Sequence, residues 1–354
     1  MMEYNEKNAK RWAMLGERPT FGLTLLELAK ENERIMAVVA DTTSSAGLER
    51  MKQTLPEQVV NVGIAEQNMM GIAAGLASEG YQVVTATFAP FQTMRPLEQI
   101  RVYQGYMRQK LVMVGLASGV AYGELGYTHC CIEDISVLRS IPNIAVISPA
   151  DCMEVVKALE AALDYERAVY IRLLDKTGLP LVYRSDYSFQ IGKAVRVFGE
   201  EDKRAFDTVI IANGTMVYPA MEASRALSEE YGMNVPVYNM HTVKPLDEAL
   251  LAQVGETAAH ILTVEEHSVI GGLGSAVSEY YSDQRERPSV WKMGIADEYC
   301  HGASHETILE RYGLTKEGIM SQIMKLKGGG QQMRSIFNND VRRNAREQGE
   351  RAIH

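Results

Sequence analysis

Short apolar runs alternate with longer amphipathic segments through the first half of the chain. The runs are rich in Val and Ile, several end in Gly, Pro or Asp, and the segments between them repeat apolar residues at helical spacing. Strands that alternate with helices indicate βαβ units, in which helices cover both faces of a mainly parallel sheet. The predicted strands are 35–41, 58–63, 81–88, 111–117, 143–149 and 168–173, and the helices between them include 24–33, 66–80, 96–109 and 153–166.

The pattern is interrupted around residues 174–190, where the apolar periodicity is lost, and a second α/β cycle follows. Its predicted strands are 208–214, 234–240 and 260–267, and its predicted helices are 216–232, 245–255 and 271–283. The sequence therefore predicts an α/β protein of two consecutive domains, each with a mainly parallel sheet flanked by helices. The predicted boundaries are an N-terminal extension at 1–20, a first domain at 21–174, a linker at 175–190, a second domain at 191–326 and a polar tail at 327–354.

Composition narrows the possible partners and the compartment. The chain has 354 residues, of which 46% are hydrophobic and 23% charged, and its net charge is −9. With no stripe of Lys and Arg, the sequence argues against nucleic acid and against a membrane as partners. Its four cysteines lack the C-x-x-C spacing of metal or redox sites, and no apolar run has the length of a membrane span. A reduced, cytoplasmic protein is expected.

One acidic residue, Glu66, is set among small and apolar residues in VGIAEQNMMGIAAG (62–75). A carboxylate is favoured near the first turn of a helix, and that position alone could explain it. A buried carboxylate also needs a partner, and a cofactor is one candidate. The residue by itself does not decide between the two interpretations.

Other catalytic patterns have little support. The sequence contains no G-x-S-x-G elbow and no H-E-x-x-H motif, and its seven histidines are scattered. GGLGSA (271–276) could cradle a phosphate, but it has neither the G-x-G-x-x-G spacing nor the ending of a P-loop. A packing role is favoured for these glycines.

Several segments, in order, resemble the transketolase family. ADTTSS (40–45), VGIAEQNMMGIAAGLA (62–77), ATFAPFQTMRPLEQIR (86–101) and the segment that begins GELGYTHCCIED (123–151) resemble its pyrimidine-binding domain, which deoxyxylulose-phosphate synthase shares. The second half resembles the C-terminal domain of transketolases. The segments that carry this second resemblance are MHTVKPLD (240–247), EEHSVIGGLGSAV (265–277) and ASHETILERYGLT (303–315). Taken together, the two resemblances extend from about residue 20 to about residue 325.

The resemblance gives Glu66 a partner. It implies that this carboxyl group hydrogen-bonds the N1′ atom of thiamine diphosphate and favours the imino tautomer that activates the cofactor. It also implies that Phe91 stacks on the pyrimidine and that Phe88 forms another wall of the pocket. Both phenylalanines follow a predicted strand, at the edge of a parallel sheet where ligands bind, although a core position is the commoner place for Phe.

Four further positions match family residues. Asp41 matches a residue near the thiazolium and Ser45 one near the substrate phosphate, but helix capping is an equal alternative for both. His129 in GYTH matches a substrate-facing, catalytic histidine. Arg172 matches an arginine that binds the substrate phosphate, although at a strand end it could equally pair with a carboxylate.

The chain also departs from the family pattern. Leu125 stands where an Asp would help to read a sugar hydroxyl, and Ala117 stands where a typical transketolase has a histidine. An unusual ketose is therefore expected as the substrate.

The element that holds the diphosphate is not visible. Family members bind it through Mg²⁺ at a G-D-G element in a separate domain, and this sequence contains no GDG. The resemblance thus predicts the C-terminal subunit of a split transketolase, which transfers a two-carbon ketol unit between sugar phosphates. A diphosphate-binding subunit would hold Mg²⁺ and complete the site in an α2β2 assembly. Two alternatives stay open: the β chain of a 2-oxo-acid dehydrogenase, and a non-catalytic regulatory subunit.

Overall fold

The computed structural model describes residues 2–199 and 206–327. The predicted polar tail beyond Lys327 lies outside this part of the chain. The strands are β1 (Ile35–Val39), β2 (Val59–Asn61), β3 (Gln82–Phe88), β4 (Val112–Leu116), β5 (Ile144–Ile147), β6 (Ala168–Arg172), β7 (Val195–Phe198), β8 (Phe206–Ala212), β9 (Val237–Asn239), β10 (Thr242–Lys244), β11 (Ala258–Ser268) and β12 (Ser289–Ile295).

The helices lie between these strands, as the alternating pattern predicts. They are α1 (Glu6–Leu15), α2 (Glu17–Glu31), α3 (Glu49–Thr54), α4 (Glu66–Ser78), α5 (Ala89–Thr93), α6 (Leu97–Ile100), α7 (Asp134–Arg139), α8 (Cys152–Asp164), α9 (Val217–Tyr231), α10 (Glu248–Thr257), α11 (Leu273–Tyr280), α12 (His305–Arg311) and α13 (Lys316–Lys327). No helix in residues 2–199 or 206–327 is long and apolar enough to cross a membrane.

The first sheet has seven strands in the order β10-β5-β6-β4-β3-β1-β2, and all pairs except β10 with β5 are parallel. β1, β4, β5 and β6 are buried along their whole length, which is why each reads as a continuous apolar run instead of an alternating one. One core packs α2 and α8 on one face, and another packs α4 and α7 on the other. The predicted α/β architecture is confirmed.

The second sheet has the order β12-β11-β8-β9-β7, with only β7 antiparallel. The sequence pattern misses three strands, β7, β10 and β12. β7 and β10 are very short, and β12 is only partly buried along most of its length, so none forms a buried apolar run.

The two domains are interlocked by β10. This strand follows β9 of the second sheet but pairs with β5 at the edge of the first. Lys244 at its end donates to the backbone carbonyls of Arg139, at 2.9 Å, and Ile141. A segment of the predicted second domain therefore completes the first sheet.

The N-terminal extension is helical and connects to the end of β6. α1 is capped by Asn5, whose side chain accepts from the backbone N–H of Asn8, and α2 begins at Glu17. The buried Glu17 carboxyl group accepts from the backbone N–H groups of Leu174 at 2.5 Å and Asp175 at 3.2 Å. Burial raises the pKa of Glu17 to about 8, against the opposing effect of those two N–H groups.

This raised pKa predicts a stability that depends on pH. The folded chain keeps the Glu17 proton up to about pH 8, whereas the unfolded chain loses it near 4.5, so wild-type stability falls as the pH rises through that window. Glu17→Gln cannot titrate, and its free energy of unfolding is expected to fall less over the same range. Urea unfolding across the window measures this, with the exposed Glu49→Gln as the control. A Glu17→Gln slope equal to that of wild type would contradict the assignment.

Candidate active site

The predicted site residues gather at the carboxyl edge of the first sheet. Asp41 follows β1, Phe88 ends β3, and Glu66 opens α4 shortly after β2. Because these three strands are neighbours in the sheet and run parallel, the residues that follow them lie at one edge. This is the position where parallel α/β sheets bind ligands.

Glu66 is the first residue of α4, and its side chain is only 8% exposed. Its Oε1 atom accepts from the Nη1 atom of Arg95 at 2.6 Å. Sequence reasoning offers a helix N-terminus or a cofactor as the explanation of this carboxylate, and it misses Arg95. The four-residue spacing from Phe91 to Arg95 does not predict the contact, because α5 ends at Thr93 and Arg95 lies in the turn that follows it.

The aromatic residues form a cluster around Phe91. The Phe91 ring lies edge-on to Phe88, with centroids 6.1 Å apart, and to His129, at 5.9 Å. The Cζ atom of Arg95 lies 3.8 Å from the centre of the Phe91 ring, in cation–π contact. Tyr122, which sequence reasoning does not single out, extends the cluster at 5.7 Å from Phe88. The structure thus brings together Glu66, Phe88, Phe91 and His129.

The loop that carries His129 is supported by the second domain. Gly119 has φ of +60°, and a Cβ atom there would lie 2.3 Å from Oε1 of the buried Glu266. The backbone N–H of Val120 donates to that same oxygen at 2.9 Å. Only glycine allows this approach, so the loop is fixed by a carboxylate from β11.

Glu266 is itself paired with His305, whose Nε2 lies 3.1 Å from Oε2. Burial disfavours the charged form of both residues, but their attraction to each other is stronger than this effect. As a result, the pKa of Glu266 is lowered and the pKa of His305 is raised. Further along the loop, the N–H of Ala303 donates to the carbonyl of Gly123 at 3.2 Å. The second domain therefore buttresses the segment before His129 at several points.

Asp41 and Ser45 lie on the loop after β1. Asp41 is exposed with φ of +59°, and its N–H donates to Oδ1 of Asn61 at 3.0 Å. The same Oδ1 accepts from the N–H of Gly63, so Asn61, which the sequence does not nominate, joins two loops of the site edge. The next helix, α3, has Leu48 at its N-cap, so neither Asp41 nor Ser45 caps it. The cofactor and substrate roles of these two residues stay predictions.

Arg172 takes the second of its two predicted roles, pairing with a carboxylate. Its Nε atom donates to both oxygens of the fully buried Asp134, at 3.1 and 2.9 Å, and its Nη2 atom donates to the Glu266 carbonyl at 2.7 Å. Burial acts against the cation, but Asp134 and then Glu266 outweigh it and hold the pKa of Arg172 above its usual value. The substrate-phosphate role receives no support from this geometry, because the guanidinium is already committed inside the protein.

The glycines of 271–276 pack around an internal carboxylate. The N–H groups of Leu273 and Gly274, at the start of α11, donate to Glu265 at 2.7 and 2.8 Å. A Cβ atom on Gly272 would lie 2.0 Å from the same carboxylate. The helix N-terminus is thus satisfied by the chain itself, in agreement with the packing role.

Comparison with known proteins decides the family. Residues 16–177 match the family model described as Transketolase, pyrimidine binding domain, and residues 199–319 match Transketolase, C-terminal domain. One subunit of the apulose-4-phosphate transketolase of Phocaeicola vulgatus is 39% identical over 308 residues, which cover 86% of this chain and 96% of that protein. The chain belongs to the transketolase family.

Two further matches concern split members of the family. The 6-deoxy-6-sulfo-D-fructose transketolase subunit SqwH of Clostridium sp. is 33% identical over 86% of this chain and 92% of its own length. A solved structure, described as a split gene transketolase in an inactive β4 tetramer, is 35% identical with a TM-score of 0.76, over 88% of this chain and 97% of that chain. The domain content is that of the C-terminal subunit of a split transketolase, and these relatives favour it over the β chain of a 2-oxo-acid dehydrogenase.

Side chains of the metal-binding types and thiols occur within residues 2–199 and 206–327. Within the described ranges, no three His, Cys, Asp or Glu side chains are grouped so that they could hold a metal ion. Cys130, Cys131, Cys152 and Cys300 are all free thiols.

The internal pairing of Arg172 predicts a large stability effect. Arg172→Met would leave the Asp134 carboxylate buried without its counter-charge, and we expect a loss of about 3–5 kcal/mol in the free energy of unfolding. The double variant Arg172→Met/Asp134→Leu, which buries no charge, is expected to recover much of it. Urea denaturation of the full chain measures both, with the surface variant Arg101→Met as control. If Arg172→Met lost no more free energy of unfolding than the control, the internal pairing would be rejected and the phosphate-binding role of Arg172 would be favoured again.

Proposed function

We propose that this chain is the C-terminal subunit of a thiamine-diphosphate-dependent transketolase that transfers a two-carbon ketol unit between phosphorylated sugars. The observation that carries the proposal is the arrangement of Glu66 beside Phe91. The buried Glu66 carboxylate and the face of the Phe91 ring lie close enough for one planar group, the Arg95 guanidinium, to contact both.

The residues present fit the cofactor ring. The Arg95 guanidinium is planar, donates to Glu66 and lies over Phe91, so the space between these two side chains accepts a flat nitrogenous group. Glu66 and Phe91 would hold the pyrimidine, Phe88 would form a wall, and Asp41 would lie toward the thiazolium. When bound, thiamine diphosphate supplies the carbon nucleophile and the electron sink for the ketol unit.

Glu66 would hold and move a proton at the N1′ atom of the ring. Its carboxyl is 8% exposed, and in such a water-poor place a hydrogen bond is stronger and its loss is more costly than in water. The helix that begins at Glu66 fixes the carboxyl relative to the sheet edge. We therefore assign Glu66 the catalytic role of cofactor activation.

His129 would act on the sugar. Its ring lies against Phe91 and its Nδ1 is 3.0 Å from Thr128 Oγ1, which leaves Nε2 to exchange a proton with a donor hydroxyl. Ser45, on the loop after β1, would bind the phosphate end of the substrate.

A diphosphate-binding partner subunit would complete the site and hold Mg²⁺ in an α2β2 assembly. Large apolar side chains are exposed close to the site residues in sequence: Ile64 is 77% exposed, Leu125 58% and Tyr127 62%, and Tyr299 lies 5.4 Å from Tyr127. Both members of the contacting pair Tyr127 and Tyr299 are exposed, and exposed apolar contacts of this kind suit a protein interface. The named subunits among the relatives agree with a chain that works with a partner.

The substrate would be a phosphorylated ketose that is recognised through fewer polar contacts than is usual in the family. Ala117 is fully buried with φ of +51° where a typical transketolase has a histidine, and the exposed Leu125 replaces an Asp. Two relatives at 39% and 33% identity carry names of different sugars, so neither name is transferred to this chain.

The proposal predicts a large loss of turnover in Glu66→Gln. With the partner subunit, thiamine diphosphate, Mg²⁺ and a ketose phosphate, we expect kcat to fall about 10²–10⁴-fold, because the amide cannot transfer the proton at N1′. Steady-state kinetics measures the fall. Glu98→Gln, a surface glutamate paired with Arg101, is the control and should stay near wild type. Full activity in Glu66→Gln would sink the assignment of this residue.

The proposal also predicts that activity depends on assembly. The isolated chain should show no ketol transfer with any donor, and addition of the diphosphate-binding subunit should restore it, because the two halves of the cofactor site are on different chains. Native mass spectrometry of the mixture should show two copies of each chain. Turnover by the isolated chain would contradict the division of the site.

A further inference from the structure

Arg95 makes the two contacts that the proposed function gives to the pyrimidine. Its Nη1 atom lies 2.6 Å from Glu66 Oε1, and its Cζ atom lies 3.8 Å from the centre of the Phe91 ring. A guanidinium and a pyrimidine ring cannot occupy the same space. On the basis of the proposed function, we propose that Arg95 is a place-holder, which fills the pyrimidine position of the unassembled subunit and leaves it when the cofactor binds.

The exposure of the two charged groups shows which one can move. The Arg95 side chain is 47% exposed, whereas that of Glu66 is 8% exposed at the start of a helix. Arg95 can therefore turn into water without further desolvation, because its long side chain reaches solvent from where it lies. Glu66 cannot follow and must receive a new partner in place of the one that leaves.

The backbone that carries Arg95 is held independently of its side chain. Arg95 lies in the turn between α5 and α6, and its carbonyl accepts from Nε2 of Gln67 at 3.2 Å. Release of the guanidinium thus needs only side-chain rotation. Phe91, on α5, keeps its contacts with Phe88 and His129 when the cation leaves.

A cofactor site divided between two chains would make the contact of Arg95 with Glu66 and Phe91 useful to the free subunit. If the ring arrives only when a second chain brings its diphosphate, the free subunit must fold with a buried carboxylate and no cofactor. Arg95 supplies the missing counter-charge and covers the exposed face of Phe91. The same contact lowers the affinity of the isolated chain for the ring, since binding has to displace it.

Thiamine is the probe for this competition, because it carries the pyrimidine without the diphosphate that the partner would hold. Isothermal titration of thiamine into the full-length chain is compared for wild type, Arg95→Met and Arg101→Met. If Arg95 fills the position in about nine-tenths of molecules, Arg95→Met should bind about tenfold more tightly than wild type. Arg101→Met should match wild type, because Arg101 pairs with Glu98 on the surface and touches neither Glu66 nor Phe91.

Each other outcome overturns the place-holder. Weaker binding by Arg95→Met would make Arg95 a ligand of the ring, and equal binding, or no binding by any variant, would show that displacement of Arg95 is not what limits affinity. Circular dichroism and urea unfolding of each variant confirm that the chains compared are folded. Arg95→Lys adds a second comparison: it keeps the charge but loses the planar stack on Phe91, so its affinity should lie between those of wild type and Arg95→Met.

Failure of the proposed function would look different. That function is decided by turnover of the assembled subunits and by its loss in Glu66→Gln. Thiamine affinity of the isolated chain requires neither the partner nor a sugar. An active assembly with unchanged affinity in Arg95→Met would reject the place-holder alone.

Discussion

A carboxylate that is almost fully shielded from water has to be neutralised, and this requirement organises the site edge of the first sheet. Glu66 is fixed at the start of α4, so its counter-charge has to come to it. Arg95 reaches it from the turn after α5 and lies on Phe91 on the way. The same guanidinium forms the ion pair with Glu66 and stacks on Phe91. A flat, nitrogen-bearing ring in its place could make both contacts.

A second set of buried charges joins the two domains. Asp134 of α7 holds Arg172 of β6, Arg172 reaches the backbone of Glu266 in β11, and the Glu266 carboxylate holds the loop at Val120. Each charge is paired inside the protein, as burial requires. The loop before His129 is therefore positioned by the second domain. The two domains are also joined where β10 pairs with β5 at the edge of the first sheet.

The sequence predicts the strands of the first sheet well because most of them are buried on both faces and read as plain apolar runs. It misses β10, since a three-residue strand that crosses between domains has no periodicity of its own. Ordered motifs nominate Glu66, Phe88, Phe91 and His129, and the structure brings these four residues together at one edge of the first sheet. The motifs do not reveal Arg95, because its contact depends on the geometry of a turn, and they leave Arg172 undecided, because only the fold shows that Asp134 lies beside it.

The residues proposed for the cofactor ring and most of those proposed for the sugar lie on different elements, which meet where His129 contacts Phe91. The groups assigned to the cofactor ring, Glu66 and Phe91, lie on α4 and α5, against the body of the first sheet. Apart from Ser45 on the loop after β1, the groups assigned to the sugar lie on the loop from Ala117 to His129, which the second domain holds through Glu266 and Ala303. On the proposed assignment, a change in that loop, such as Leu125, would act on sugar recognition and would leave the Glu66 carboxylate on α4 in place. On that assignment, related subunits could keep the cofactor residues and differ in the loop, which agrees with the different sugars in the names of two relatives.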